Sequence, residues 1–367
     1  MCMMLLACFL SCTKEVLQQN ALPGRTLLVY MGGDNNLSVE TDSKIDALLA
    51  GWSSECSGRL LIYQDRSNDV PRLLEVKGGT SCKVPYLQEI EFYPEENSAS
   101  EEVFKRVIGK MVEYAPAKSY GLLLFSHGTG WLPPGAYEYP ETFRLRSVVR
   151  DKGNEMSIPG FAEAIPDKLF DYIILEACFM GGVEVAYELR KKTDYLLVSA
   201  AEIFSPGFTD IYPDKLECLF QQAETGLPDF AEGWFEHVRS RPGNNRAATV
   251  SVIRTCGLDS LLTSVRPVGI PYWNTKINGI QGFDRNESKQ FFFDLADYYQ
   301  RMATPEQWAV IDERISKTIL FAAATKDLVN IPIRKHCGLT TYIRGGKYTA
   351  LDESHKTMQW CRNMEHN

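Results

Sequence analysis

Two apolar runs that each stop at a reactive side chain constrain this chain more than any other feature. The run GLLLF of GLLLFSHGTGW gives way to Ser126, His127 and Gly128. The run YIIL of FDYIILEACFMGG gives way to Glu176, Ala177 and Cys178, with Gly181 and Gly182 behind them. Continuous apolar stretches of four or five residues, bounded in this way, read as buried parallel strands. Open α/β sheets bind their ligands beyond the carboxyl ends of the strands. Neighbouring strands would therefore deliver an imidazole and a thiol to one edge, about 5 Å apart. That is the layout of a cysteine nucleophile with its base.

The flanking sequence repeats the strand–helix alternation. TLLVYM (26–31), RLLIYQD (59–65), YLLVS (195–199) and AATVSVI (247–253) read as strands. Ser38 is a good N-cap for a helix running to Leu49, and Val103, Val107, Ile108 and Met111 sit at helical spacing within 100–114. Further helices are expected near 158–165, over 183–189 and over 213–238. PRLLEVKG and VPYLQEIEF alternate between Gly and Pro and read as an inserted hairpin. This order predicts a three-layer α/β/α sandwich with a largely parallel sheet over residues 25–255. Residues 256–367 carry helical patterns over 287–299 and 305–324 and a strand-like GLTTYI (338–343). They form either a small helical and mixed subdomain or extra layers of the same domain.

Composition narrows the function classes. Apolar content of 44% and charged content of 23% suit a soluble globular protein, and the net charge of −8 argues against nucleic-acid binding. No apolar run reaches the ~18 residues of a membrane span. Residues 1–24 read as a leader and tether. FLSC resembles a bacterial lipobox with Cys12 as the lipidated residue, and LLAC, ending at Cys8, fits the same pattern. A lipid anchor on the cell envelope, or secretion, is the expected location. Of ten cysteines, seven follow Cys12, and no CxxC pair occurs. That excludes the common zinc-ribbon spacing and does not resemble a disulfide framework, although a Cys56–Cys82 bridge stays open in an oxidising compartment. Asp34, Asn35 and Asn36 read as a turn stabilised by their own side chains.

VYMGGDNNL, LLLFSHGTGW, DYIILEACFMGGVEVAYEL and YLLVSAAEIFSPGF, in that order, resemble the clostripain family of cysteine peptidases. That family shares the caspase-like fold with legumains and gingipains. The resemblance implies a catalytic dyad of His127 and Cys178, with cleavage of protein or peptide substrates after Arg or Lys. A helix expected to start near Met180 would favour the thiolate through its dipole. The backbone amides of Gly128 and Cys178 are the candidate oxyanion donors. Glu176 stands where the family usually has the Asp that lines the pocket for a basic side chain, and Glu202 and Asp210 are further candidate acids. Family members are often activated by self-cleavage between the two strands, where Arg144, Arg146, Arg150 and Lys152 lie. Some members depend on calcium, but no metal ligands and no cofactor are identifiable here. The chain is expected to act as a monomer. The alternative is a caspase-fold binding module of the cell envelope without catalysis.

Overall fold

The computed structural model describes residues 22–79, 84–133, 135–141, 149–286 and 289–365. Five strands form its parallel centre: β1 (Arg25–Gly33), β2 (Gly58–Arg66), β5 (Ser119–Phe125), β8 (Phe170–Glu176) and β9 (Thr193–Val198). Among the described residues the sheet has nine strands in the order β12-β10-β9-β8-β5-β1-β2-β3-β4. Antiparallel pairs extend both sides: β3 (Arg72–Lys77) with β4 (Tyr86–Phe92), and β10 (Thr249–Arg254) with β12 (Ile319–Ala324). The expected inserted hairpin is therefore an edge of the main sheet.

The central strands are buried along nearly their whole length, which is why their sequences are continuous apolar runs rather than alternating ones. Alternate residues supply two cores. Leu28, Tyr30, Leu122 and Leu124 face α2 (Glu101–Tyr114), α3 (Ile158–Ala164), α4 (Val183–Leu189) and α7 (Leu258–Val265). Leu27, Val29 and Leu123 face α1 (Ser38–Gly51), α5 (Tyr212–Lys215) and α6 (Ala223–Ser240). The α/β/α sandwich is thus the architecture found.

Residues after 256 differ in detail from their sequence pattern. Of the predicted helix over 287–299, residues 287 and 288 lie outside the described residues, and the rest includes a strand pair followed by a shorter helix. Phe293–Asp294 (β11) pairs with Thr340–Thr341, and α8 (Leu295–Met302) begins where the Asp294 carboxylate accepts from the Asp297 amide. α9 (Pro305–Thr318) opens on a capping box between Thr304 and Gln307 but stops at Thr318. ILFAAA then joins the sheet as β12, because pairing with β10 satisfies its backbone while Leu320, Phe321 and Ala323 pack half-buried against the neighbouring core. α10 (Thr349–Lys356) and α11 (Gln359–Glu365) close the chain over α4, with Trp360 fully buried against Tyr187.

Candidate active site

β5 and β8 are adjacent and parallel, with Phe125 opposite Glu176. Continuing that register by two residues would set His127 opposite Cys178, about one strand spacing away. Gly128 lets the two loops meet. A Cβ there would lie 2.3 Å from Met180 Cε, 2.9 Å from Ala177 Cβ and 3.2 Å from the Cys178 carbonyl oxygen. No side chain fits, so glycine is required by the close approach.

Each loop is held separately. The Ser126 hydroxyl donates to the Gly32 carbonyl at 2.7 Å and accepts from the Arg150 amide, fixing the histidine loop to β1 and to the β6–β7 hairpin (Arg150–Asp151 and Asn154–Glu155). The cysteine loop carries the β8–β9 contact onward, with the Phe179 amide on the Ala201 carbonyl and the Gly181 amide on the Ser199 carbonyl. Phe179 takes φ = 61° and stacks its ring on Phe292 at 4.5 Å. Thr340 donates its amide to the Gly181 carbonyl, so the C-terminal part also grips this loop.

The electrostatics of the pair differ from expectation. α4 begins at Val183, beyond Gly181 and Gly182, so Cys178 does not sit in its first turn. Burial pushes the Cys178 thiol up to about 11, and the Glu202 charge acts in the same direction. The thiol lies 3.9 Å from the Ile203 carbonyl, its hydrogen-bond acceptor. Burial, followed by the charge of Arg150, holds His127 below the usual histidine value. Its Nε2 donates to Asn36 Oδ1 at 2.8 Å, leaving Nδ1 as the basic nitrogen. The resting pair is a neutral imidazole and a neutral thiol.

Asn36 escaped the sequence reading, which assigned 34–36 to a turn. That reading holds for Asn35, whose side chain bonds the Gly32 and Arg150 carbonyls and the Leu37 amide. Asn36 instead orients the histidine.

The three candidate pocket acids have distinct surroundings. Glu176 is fully buried, and its carboxylate accepts from Lys44 Nζ at 2.7 Å, the Phe208 amide at 2.7 Å and the Tyr212 hydroxyl at 2.8 Å. Lys44 also lies 4.3 Å from the Phe125 ring centroid. The expectation that Glu176 faces a substrate is therefore corrected, since an internal lysine already holds it. Glu176 lies two residues before the thiol, as expected, but below the sheet edge rather than open to the cleft. Asp210 Oδ2 is shared by Arg241 at 2.6 Å and His237 at 3.2 Å. Glu202 is held by the Arg285 guanidinium through two nitrogens, one of them at 2.9 Å, and Arg285 stands 5.3 Å from the Phe204 ring centroid. Both charges act on the Cys178 thiol.

Of the basic residues between the two strands, Arg144 and Arg146 lie outside the described residues, as do Cys12 and Cys82. Arg150 lies 3.9 Å from Glu155, and Lys152 pairs with Asp34 at 3.0 Å and with Glu95. Cys56 is a free buried thiol.

A caspase-like sandwich that brings a histidine and a cysteine to one sheet edge defines a class of cysteine peptidases. The comparisons identify the family within it: the clostripain family model matches residues 29–320, and the chain belongs to that family. Clostripain of Hathewaya histolytica is 25% identical over 236 residues, a match covering 55% of this chain and 42% of that relative, less than half of its length. An inactive zymogen of a C11 protease from Parabacteroides distasonis is 29% identical with a TM-score of 0.82, covering 94% of this chain and 99% of the other. A secreted C11 cysteine protease from Bacteroides thetaiotaomicron, solved with an irreversible peptide inhibitor, is 25% identical with a TM-score of 0.79 over the same shares.

Two outcomes are expected from this geometry. Lys44→Met strands a buried carboxylate and should cost about 3–5 kcal/mol in urea unfolding. The double variant Lys44→Met/Glu176→Gln should recover much of that loss; no recovery would mean that the pair is not the cause. Second, the alkylation rate of Cys178 by iodoacetamide should climb steadily from pH 6 to 10. A plateau at neutral pH would reveal a preformed thiolate and contradict the neutral pair.

Proposed function

We propose that this chain is a cysteine endopeptidase cutting after Arg or Lys, with Cys178 as nucleophile and His127 as its base and acid. The observation that carries the basic preference is the guanidinium of Arg285 held on Glu202 beside the thiol. An acid that already grips an arginine through two nitrogens, next to an aromatic ring, is suited to a substrate arginine in the same place. Glu202 thus takes over the role first assigned to Glu176. Arg285 would have to leave before a substrate arginine could enter.

The reaction follows from the neutral pair. His127 Nδ1 takes the thiol proton as Sγ attacks the scissile carbonyl carbon. The amides of Gly128 and Cys178 donate to the resulting oxyanion. The imidazolium then protonates the leaving amine, and water, deprotonated by the neutral imidazole, releases the acyl group. Because the thiol is not ionised at rest, substrate binding and proton transfer have to coincide.

Activation by cleavage within 132–157, after Arg144, Arg146, Arg150 or Lys152, belongs to the same proposal. The Parabacteroides relative is described as an inactive zymogen, which supports it. Residues 1–24 are proposed to direct export, with Cys12 as the lipidated residue. The Bacteroides relative is described as secreted, which agrees with export and does not bear on the lipid.

The test is turnover of fluorogenic peptides ending in Arg, Lys, Asn or Asp, with intact-mass analysis of the chain. Turnover should favour Arg and Lys and vanish with Cys178→Ala. Loss of a charge-assisted hydrogen bond in Glu202→Gln should lower kcat/KM for Arg peptides by about 10–100-fold and leave other peptides less affected. Equal cleavage of Arg peptides by Glu202→Gln would remove Glu202 from the pocket. No turnover under any condition, with tight binding of a peptide, would favour the non-catalytic module. The acid limb of kcat/KM should lie below the ordinary histidine value, since the imidazolium is disfavoured, and Arg150→Gln should move it upward.

A further inference from the structure

A cavity of about 430 Å³ opens in the C-terminal part, between the 279–284 loop, α8 and the 330–335 segment. Neither His127 nor Cys178 lines it. Three cationic side chains, Arg301, Lys335 and Arg334, stand there against two acids, Asp297 and Asp284. Arg301 holds Asp297 through two nitrogens at 2.8 and 3.1 Å, and Lys335 Nζ reaches the same carboxylate at 2.8 Å. Two cations thus share one acid, and despite burial they keep Asp297 below the ordinary carboxylate value. Arg334 is placed by its own amide, which donates to Oε1 of the buried Gln281 at 2.8 Å. Its guanidinium has no partner among the described residues. In a chain of net charge −8 this positive surplus is local to the cavity.

Asp284 is the second unusual group. It is 2% exposed, and its Oδ2 accepts from the Phe291 and Phe292 amides at 2.9 and 3.0 Å. Its Oδ1 is buried without a partner, while its own amide lies beside the carboxyl. Native interiors rarely leave such an oxygen unsatisfied. An unpaired guanidinium and a buried unpaired carboxyl that line one cavity point to a ligand both could hold.

We propose that this cavity binds a carboxylate monoanion between the Arg334 guanidinium and the Asp284 carboxyl. The planar fork of an arginine matches the two oxygens of a carboxylate. The neutral Asp284 carboxyl has an O–H to donate to the same ligand. Of the three cations only Arg334 is unpaired, and one unpaired cation suits a monoanion better than a phosphate dianion. The chemistry is shared by the C-terminus of a peptide and by a free small carboxylic acid. Asp284 precedes Arg285 in the chain, and Asn330, which also lines the cavity, donates to the Arg285 carbonyl at 3.5 Å. The ligand would therefore settle against the segment that brings Arg285 to Glu202. The inference does not depend on the peptidase proposal.

The charge state fits a donor. Burial, reinforced by the Glu202 charge, pushes Asp284 up to about 7, against the pull of the two amides. The other groups around it are Arg285, which sits on Glu202, and Tyr137, which burial keeps a neutral phenol. Lys289 is held on the Tyr137 and Glu138 carbonyls. His336 lies beyond Phe283, at 5.7 Å between ring centroids, and burial pushes it down to about 4. Across the cavity stand Asp297, Arg301, Arg334 and Lys335, none of a type that titrates between pH 6 and 8. A carboxyl that donates only when protonated holds the anion best below about 7 and loses it as pH rises through that value.

The experiment is isothermal titration of the full chain, with Cys178→Ala to keep it whole, in buffers free of carboxylate and phosphate. The probes are N-acetylglycine, butyrate and the uncharged N-acetylglycinamide. N-acetylglycine should bind at one site per chain at pH 6 and about tenfold more weakly at pH 8. The amide should not bind. Arg334→Gln, a change at an exposed position, should weaken binding at pH 6 by about 10–100-fold. Asp284→Asn keeps an acceptor for the two amides and offers a permanent donor, so its affinity should be the same at both pH values. Tighter binding of N-acetylglycine than of butyrate would identify a peptide terminus as the source, and the reverse order a free acid. The proposal is overturned if neither acid binds the parent protein or if the amide binds as well as the acids. It is equally overturned if Arg334→Gln binds as tightly as the parent.

Discussion

The buried pairing of Lys44 with Glu176 holds together the layer beneath Cys178. Glu176 closes β8, Lys44 comes from the middle of α1, and the same carboxylate gathers the Phe208 amide and the Tyr212 hydroxyl. Two separate segments, α1 and the run from Phe208 to Tyr212, are therefore fixed to the strand that presents Cys178. Gly207 shows how little room remains, because a Cβ there would lie 2.2 Å from Glu176 Oε1 and its φ is 64°. A buried ion pair contributes little over a well-packed apolar pair, but removing one partner is costly. Its role is thus to specify one arrangement below the site rather than to add net stability. It also withdraws an acid from the cleft, so the proposed selection of a basic substrate would fall to a different residue.

A second buried network grips the other end of the cysteine loop. Glu184, in the first turn of α4, accepts from the Thr341 hydroxyl and the Tyr342 amide, and His355 Nε2 donates to it at 3.0 Å. Arg344 Nε donates to His355 Nδ1 at 3.0 Å, and Cys361 packs beside the same ring. With Arg344 donating to Nδ1, the His355 proton sits on Nε2 and the ring is neutral, in keeping with burial holding His355 below its usual value. A Glu–His–Cys grouping invites a catalytic reading, but all three residues are buried, and none reaches the cleft. Its effect is mechanical: residues 340–361 bear directly on the helix that follows Cys178.

Much of the architecture was legible because it depends on periodicity. The parallel strands announce themselves as continuous apolar runs, and the order His before Cys fixes which strands must be neighbours. The N-cap expected at Ser38 is not one: α1 starts at Ser38 with Leu37 before it and no side-chain cap, and the Ser38 hydroxyl accepts from the Ser67 amide instead. What sequence could not show depends on partners far along the chain. ILFAAA has a helical composition and becomes a strand only because β10 offers an edge. Glu176 is separated from Lys44 by 132 positions and Glu202 from Arg285 by 83, so no local signal tells which acid is occupied and by what. Asp34, Asp65 and Asp151 come from three separate stretches of the chain, and only the fold brings their carboxylates together.

The neutral state of the site follows from the same packing. Burial raises the thiol and lowers the imidazole, so each group resists the charge that an ion pair would require. Such a site is protected from chance alkylation and oxidation, because both need the thiolate. Under the proposed mechanism it would also stay quiet as a peptidase while Arg285 holds Glu202. A basic substrate would displace that guanidinium, and the oxyanion it forms would meet the amides of Gly128 and Cys178. Charge then develops only where donors already wait, and substrate occupancy rather than pH becomes the condition for ionisation.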